Sequence, residues 1–162
     1  MDQNIVEIWL RKDPVRWIAG AFAGAFAGIV MIGVSMLFMA LMGDDIFAPI
    51  KVAALPVLGA SAMEAGMVMK PIVVGLLAHE LLCVFLGIIF AHFTGTNVLS
   101  ALLGVGLTWG IFGWIFINNL FSPSFHDVLT AERSAAVAFF AWVIFGITLT
   151  SVSFFDKLFR RS

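Results

Sequence analysis

Tyrosine is absent from the sequence, and only one cysteine is present. Without tyrosine there is no phenol for acid-base or radical chemistry. The cysteine, Cys83, has no second cysteine to pair with, which excludes an intrachain disulfide and a zinc site built from cysteines. Charged residues make up 12% of the chain and hydrophobic residues 62%, whereas soluble domains carry about 25% charged residues. This composition predicts a chain surrounded by hydrocarbon rather than water.

Basic clusters and catalytic motifs are absent as well. The formal net charge is -1, and nucleic-acid binding, which needs clustered cations to neutralise phosphates, is excluded. No glycine-rich phosphate loop follows a strand, and no nucleophile is spaced with a base. Asp44 and Asp45 are typical of a solvated turn, and His126 and Asp127 fall in a predicted exposed loop that offers no water-excluding pocket. We predict that the protein is not an enzyme.

Four long apolar runs are the main feature of the sequence. At about 1.5 Å per residue, each run is long enough to cross a hydrocarbon core of roughly 30 Å. Pro14, preceded by the capping residue Asp13, marks the start of the first run, and Pro71 and Asn97 mark the next two. The pattern predicts an all-α polytopic membrane protein with four transmembrane helices in an antiparallel bundle. Their predicted bounds are 16–42, 71–93, 98–120 and 134–155.

The rest of the chain forms no separate soluble domain. Residues 1–13 place their apolar side chains on one helical face, which predicts a short helix lying in the membrane interface. Residues 43–70 are apolar, but proline and glycine interrupt them too often for a fifth span. We therefore predict two short surface helices, 48–54 and 57–65, that cover the outer face of the bundle. Residues 156–162 are expected to form a cytoplasmic tail.

The distribution of lysine and arginine predicts the orientation. Six of these residues lie on the side of the chain termini, and three lie on the opposite side. An excess of positive charge marks the cytoplasmic side of a membrane protein, so both termini are predicted to be cytoplasmic. The six are Arg11, Lys12, Arg16, Lys157, Arg160 and Arg161, and the three are Lys51, Lys70 and Arg133.

Small residues recur every four positions on two of the predicted spans. Gly20, Gly24 and Gly28 form a ladder on the first span, and Gly106 and Gly110 repeat the motif on the third. Such ladders let two helix backbones approach closely. They predict tight helix packing, with a partner helix either in this chain, which the short loops favour, or in another copy.

One polar pair, His79 and Glu80, interrupts the second span. Counting from the start of that span, Glu80 lies about 13 Å below the outer boundary, where an ionised carboxyl group costs roughly 3 kcal/mol. It is therefore expected to be neutral, paired or beside a polar cavity, and both a structural and a functional role stay open. Equal depth from the outer surface places Ser35 and Trp142 in the same layer. We predict an intramembrane polar cluster of Glu80, His79, Ser35 and Trp142.

The histidines and methionines bear on haem and copper. His79 and His92 point about 140° away from each other on one helix, so that helix cannot stack two haems. Methionine thioethers suit Cu(I), although methionine is also an ordinary filler of apolar gaps. We expect no cofactor apart from lipid, with copper(I) as a minor alternative. The candidate copper ligands are Met36, Met39, Met42, Met63, Met67 and Met69.

Three segments carry a resemblance to other proteins. They are Pro49-Ile50-Lys51-Val52-Ala53-Ala54 leading to Leu58-Gly59, Gly75-Leu76-Leu77-Ala78-His79 with Gly87, and Asn118-Asn119 with Phe121-Ser122-Pro123. The chain resembles, over about residues 16–152, a group of small four-helix bacterial membrane proteins. Members often have a histidine where this chain has Trp142. The resemblance implies a bacterial inner-membrane setting and this fold, and it brings no activity.

These observations support three hypotheses of function. The first is a non-enzymatic accessory subunit of a larger membrane complex, because the glycine ladders favour helix packing and no catalytic constellation is present. The alternative is a small proton-coupled carrier or channel that uses Glu80 and His79 as a relay. The third is copper(I) handling on the periplasmic side. Expected partners are membrane lipids, together with other subunits or a second copy of the chain.

Overall fold

The structure is a computed structural model that describes residue 10, residues 12–129 and residues 132–161, with side chains described only outside 118–134. Throughout these residues the regular structure is helical, and four helices are long and apolar enough to cross a membrane. The predicted all-α class with four spanning helices is therefore confirmed. The interfacial helix predicted for 1–13 lies almost wholly outside the described residues. The candidate spans are Pro14–Met42, Met69–Phe93, Leu99–Ile117 and Ala135–Phe159.

The helices are numbered in chain order. They are α1 (Pro14–Met42), α2 (Ala48–Val52), α3 (Leu55–Leu58), α4 (Met69–Phe93), α5 (Leu99–Leu129), α6 (Glu132–Thr148) and α7 (Val152–Phe159). Short 3-10 helices, Gly59–Met63 and Leu149–Ser151, follow α3 and α6. We call the end of the bundle that holds the start of α1, residues 94–98 and α7 the turn end. The opposite end, which holds residues 43–68, is the loop end.

The first span begins and ends at residues whose local chemistry suits those positions. Asp13 caps α1, since its Oδ1 accepts a hydrogen bond of 3.1 Å from the Arg16 amide, and Pro14 occupies the first helical position. Gly43 ends the helix with a φ of 74°, a left-handed conformation that glycine adopts without steric cost. These are the start signals that the sequence analysis used, and they place α1 from one face of the membrane to the other.

The central helix of the bundle is α1. It packs along α4 on one side and along α6 and α7 on the other, while α5 packs mainly on α6. The fully buried Ala19, Ala23 and Ala27 of α1 share one core with Phe90 of α4 and Phe145 of α6. Small residues on the central helix thus let aromatic side chains of its neighbours fill the interior.

The end of the third span differs from the prediction. Helix α5 continues past residue 120 to Leu129, so the segment expected to be an exposed loop around His126 and Asp127 has a helical backbone. The break was inferred from Pro123, but proline within a helix removes only one backbone hydrogen bond and is tolerated in membrane helices. The span nevertheless loses its apolar character near Ile117, where the membrane-compatible stretch of the described residues ends.

The expected tail at 156–162 also differs. Residues Val152–Phe159 form α7, and Asp156 within it is buried at 2% exposure. Its carboxylate lies 3.3 Å from Nη1 of Arg16 on α1, and this ion pair fixes the segment against the bundle. The tail was predicted from its charges, which were assigned to water, whereas two of them neutralise each other inside the fold.

Glycines mark the closest helix contact, between α1 and α4. A Cβ added to Gly24 would overlap the carbonyl oxygen of Cys83, and one added to Gly87 would overlap the backbone of Gly20 and Gly24. Gly28 continues the same contact toward the loop end, where a Cβ would lie 2.9 Å from Cβ of Cys83. The ladder predicted on the first span therefore packs within this chain, backbone against backbone.

The contact between α5 and α6 is built in the same way. Gly106 faces Gly146, and a Cβ on either residue would overlap the carbonyl oxygen of the other. One turn further along, Gly110 lies against the carbonyl group of Trp142, whose indole ring covers Gly113. The second predicted ladder thus also has a partner helix in this chain.

Residues 43–68 cover the loop end, and a buried lysine holds them in place. Lys51 is 0% exposed, and its Nζ donates to Oδ2 of Asp45 at 2.7 Å and to the carbonyl oxygens of Glu64 and Gly66. Burial by itself would raise the pKa of Asp45, but the hydrogen bonds from Lys51 and from the Phe47 amide outweigh it and lower that pKa. Three acceptors from one continuous segment therefore satisfy all three ammonium protons.

We expect Gly24→Ala to destabilise the protein by about 2 kcal/mol, because the new methyl group overlaps the Cys83 backbone and forces α1 and α4 apart. The matched control is Gly33→Ala on the same helix, where nothing lies within 4 Å of the added Cβ. The control should be neutral or slightly stabilising, since alanine is the better helix former. Thermal unfolding in detergent measures both, and equal unfolding temperatures for the two variants would contradict the close contact.

Asp45→Asn is expected to destabilise the loop end by about 2 kcal/mol at neutral pH, because a charged acceptor of the buried Lys51 is lost. A carboxylate with a lowered pKa stabilises the fold above its ordinary value of 3.8, and that contribution disappears as the pH falls through the lowered value. The difference between native protein and variant should therefore close below pH 3.8. Glu64→Gln, which removes a carboxylate but keeps the backbone acceptor, is the control, and a pH-independent difference would refute this account.

Candidate functional site at the contact of α1 and α4

Three polar side chains of α4 converge on Gly28 of α1. Nε2 of His79 lies 3.2 Å from the Gly28 carbonyl oxygen, and Sγ of Cys83 lies 3.4 Å from the same nitrogen. Because a carbonyl oxygen only accepts hydrogen bonds, Nε2 carries the proton in this contact. His79 is therefore held in one tautomer, with its ring fixed across the two helices.

Glu80 completes the group from the neighbouring position. Its Oε1 is buried and lies 3.1 Å from the point where a Cβ on Gly28 would sit, and Sγ of Cys83 lies 3.0 Å from that point. The missing side chain at Gly28 thus leaves the space into which both atoms fit. Among the residues that the structure describes, Oε1 has no hydrogen-bond partner.

The depth of Glu80 decides what its orphaned oxygen means. Glu80 lies 13 residues from the end of α4 at Phe93, and Gly28 lies 14 residues from Pro14. At about 1.5 Å per residue both positions are roughly 20 Å from the turn end, well inside the hydrocarbon core. Leaving a carboxylate ionised there, without a donor, costs roughly 3 kcal/mol. The arrangement therefore suits a carboxyl group that gains and loses a proton, or one that stays neutral.

Ser35 and Trp142 do not complete this group in the way that the sequence analysis placed them. The Ser35 hydroxyl donates to the Met31 carbonyl of its own helix at 2.8 Å, and Ser35 lies two turns beyond Gly28, or about 10 Å toward the loop end. Depth was counted from the loop end on the assumption that α1 and α4 start level there. Because α1 rises about one turn further than α4, Gly28 rather than Ser35 lies opposite His79.

Trp142 packs between helices rather than beside Glu80. Its ring covers Gly113 of α5, meets Phe145 edge-on at 5.6 Å and is 7% exposed. The structure thus brings together His79 and Glu80 of the four predicted residues and adds Cys83. Sequence spacing carried a signal for that addition, since residues four apart share a helical face.

The residues considered for haem and copper lie apart from this group. Nδ1 of His92 accepts a hydrogen bond of 3.2 Å from the Trp17 indole at the turn end. The methionines are spread along the loop end, with Met63 packed on the small core around Ala54 and Met67 exposed. Within the described part of the chain, no group of three or more His, Cys, Asp or Glu residues has metal-binding geometry.

The sequence analysis missed a buried ionic network at the turn end. Nη2 of Arg16 donates to the carbonyl oxygens of Thr94 and Thr96, both at 2.8 Å, and Nη1 donates to Oδ1 of Asn97 and pairs with Asp156. Arg16 is 3% exposed. The residue was predicted to be an interfacial charge at the start of a span. Its role depends on a residue 140 positions away, which no local pattern indicates.

Comparisons with known proteins add no relative: the sequence matches no family profile, no curated protein and no solved structure.

Proposed function

We propose that this small integral membrane protein is a non-enzymatic subunit of a larger membrane assembly and that it binds its partner through the exposed face of α5. The observation that carries the proposal is that α5 has small residues on two opposite faces. Gly106 and Gly110 on one face are covered by α6. Ser100, Gly104 and Thr108 on the other face are exposed. We call these three residues the open stripe.

The open stripe has the spacing of a helix-packing surface. Its members are four residues apart, and nothing lies within 4 Å of a Cβ added to Gly104. The Thr108 hydroxyl donates to the Gly104 carbonyl at 2.9 Å, so its polarity is satisfied within the helix. Small residues on a membrane helix let a second backbone approach closely, which lipid chains alone do not require.

The position of α5 in the bundle supports the same proposal. Among the described elements, α5 makes extensive contact only with α6 and the 3-10 helix that follows it. By contrast, α1 is surrounded by α4, α6 and α7. A partner helix against the open stripe would hold α5 on both sides. The partner is another membrane chain or a second copy of this one, in the bacterial inner membrane with both termini cytoplasmic, as the charge distribution and the resemblance suggest.

Gly104→Leu should reduce recovery of the assembly at least tenfold on extraction from native membranes in mild detergent, because the side chain blocks the approach of a second helix. Gly33→Leu is the matched control, since its added Cβ also meets nothing within 4 Å but lies on α1. Size-exclusion chromatography with mass determination provides the measurement. The proposal fails if the native protein elutes as a lone 17.6 kDa chain.

A second candidate function is supported by the geometry at Gly28. Glu80 has a buried oxygen without a described partner, and His79 beside it is fixed by a backbone contact. An intramembrane carboxyl group in this position suits a small proton-coupled carrier or channel, with Glu80 as the group that takes up and releases the proton. Cys83 and His79 would line its path. Copper(I) handling through the methionines stays a prediction, which elemental analysis after copper loading can test.

Glu80→Gln tests the carrier, because glutamine keeps the shape and hydrogen-bonding capacity of a neutral glutamic acid but cannot release a proton. Proteoliposomes with an internal pH dye should dissipate an imposed pH gradient, and the variant should do so at least tenfold more slowly. Glu64→Gln in the exposed loop is the control and should match the native protein. Native proteoliposomes no leakier than protein-free liposomes, or a Glu80 variant as active as the native chain, would rule out the carrier.

A further inference from the structure

Four charged side chains form a closed ring at the turn end. Asp156 accepts a hydrogen bond from Nε of Arg160 at 3.1 Å and pairs with Arg16, while Arg160 also pairs with Oδ2 of Asp13. The Oδ1 atom of Asp13 caps the Arg16 amide, which closes the ring. Two acids and two bases alternate, so the ring is neutral. It joins the start of α1 to α7 and, through Asn97, to the turn between α4 and α5.

Burial divides the ring into two halves. The side chains of Arg16 and Asp156 are 4% and 3% exposed, whereas those of Arg160 and Asp13 are 47% and 26% exposed. A buried charge is stable only while it stays paired, because water cannot replace the lost partner. The inner pair therefore holds α7 firmly when α7 is in place, and the outer pair lies where water can reach it.

The chain immediately before α7 is built to bend. Residues Leu149–Ser151 form a 3-10 turn between two α-helices, an interruption that often marks a hinge. Thr148 and Thr150 on either side donate their hydroxyl groups to the carbonyl oxygens of Ile144 and Ile147, both at 2.8 Å, a contact that bends helices. The Ser151 hydroxyl is buried, and no partner for it is found among the described residues.

The two faces of α7 suit two positions. On one face Val152 is fully buried and Phe155 and Phe159 pack on Phe22 of α1, with ring centroids 5.9 and 5.1 Å apart. On the other face Phe154, Leu158 and Lys157 are exposed. A helix with apolar side chains and terminal positive charge can also lie in a membrane interface. Leaving the bundle would therefore not force α7 into water.

We propose that α7 is a hinged latch: it rotates at residues Leu149–Ser151, and the charged ring locks it across the start of α1 and the 94–98 turn. Closure fixes three chain segments at once, because Arg16 holds the carbonyl groups of the turn while it pairs with Asp156. Release unlocks the start of α1, the helix that carries Gly28. The inference stands on the turn end alone and does not depend on either proposed function.

Spin labels test the latch in the full chain. Cysteines replacing Gly95 in the turn and Lys157 on α7, both exposed, carry the labels, and the native Cys83 at 2% exposure should stay unlabelled. With the ring intact we expect one narrow distance distribution by pulsed electron resonance in nanodiscs. Asp156→Asn should add a second component longer by about 10 Å, the order of the length of an eight-residue helix.

Two variants complete the experiment. Arg161→Gln removes a neighbouring positive charge that takes no part in the ring and should leave the distribution unchanged. Arg160→Gln opens only the outer half of the ring, and it decides the question if Asp156→Asn yields no folded protein: it should populate the same longer component. An unchanged distribution in the ring variants overturns the latch. Labelling of Cys83 in those variants overturns it too, because the ring would then hold the whole bundle rather than α7.

Discussion

The backbone contact between α1 and α4 is the constraint on which the other parts of the fold depend. In hydrocarbon there is no hydrophobic force between helices, so association relies on close packing and on a few hydrogen bonds. Gly20, Gly24 and Gly87 provide that closeness by leaving no side chain between the two helices. The same contact brings the Gly28 carbonyl within 3.2 Å of His79. The candidate site is thus a consequence of the packing, since a larger residue at Gly28 would occupy the space that Cys83 and Glu80 share.

Charge is treated differently at the two ends of the bundle, although the physical requirement is the same. At the loop end one buried ammonium group is satisfied by Asp45 and two backbone carbonyl groups from the same segment. At the turn end Arg16 is satisfied by residues from three segments far apart in sequence. Local satisfaction makes the first a fixed cap. Dependence on a separate helix makes the second one reversible in principle, because α7 can leave without unfolding the segment that carries Arg16.

Local signals in the sequence were enough to predict the four spans and their glycine ladders. Apolar length is read directly from the chain, and the four-residue spacing of Gly20, Gly24 and Gly28 states which face packs. The layer of Glu80 was not predictable in the same way. It depends on how far α1 rises past α4, which the packing of the loop end decides. Lys51 and Arg16 were counted only as flanking charges, because the acceptors that bury them are chosen by the tertiary fold rather than by their neighbours in sequence.

The two proposed functions occupy different surfaces, which makes them independent. Glu80 faces α1, whereas the open stripe of α5 lies on the far side of that helix from α6. A partner helix docked on Gly104 would therefore leave the space at Gly28 as it is. Within the described residues the buried charges at both ends have partners, while Glu80 at mid-depth keeps an oxygen without one. A fold that satisfies its costlier charges so completely has placed that carboxyl group where a proton, rather than a fixed donor, is the natural counterpart.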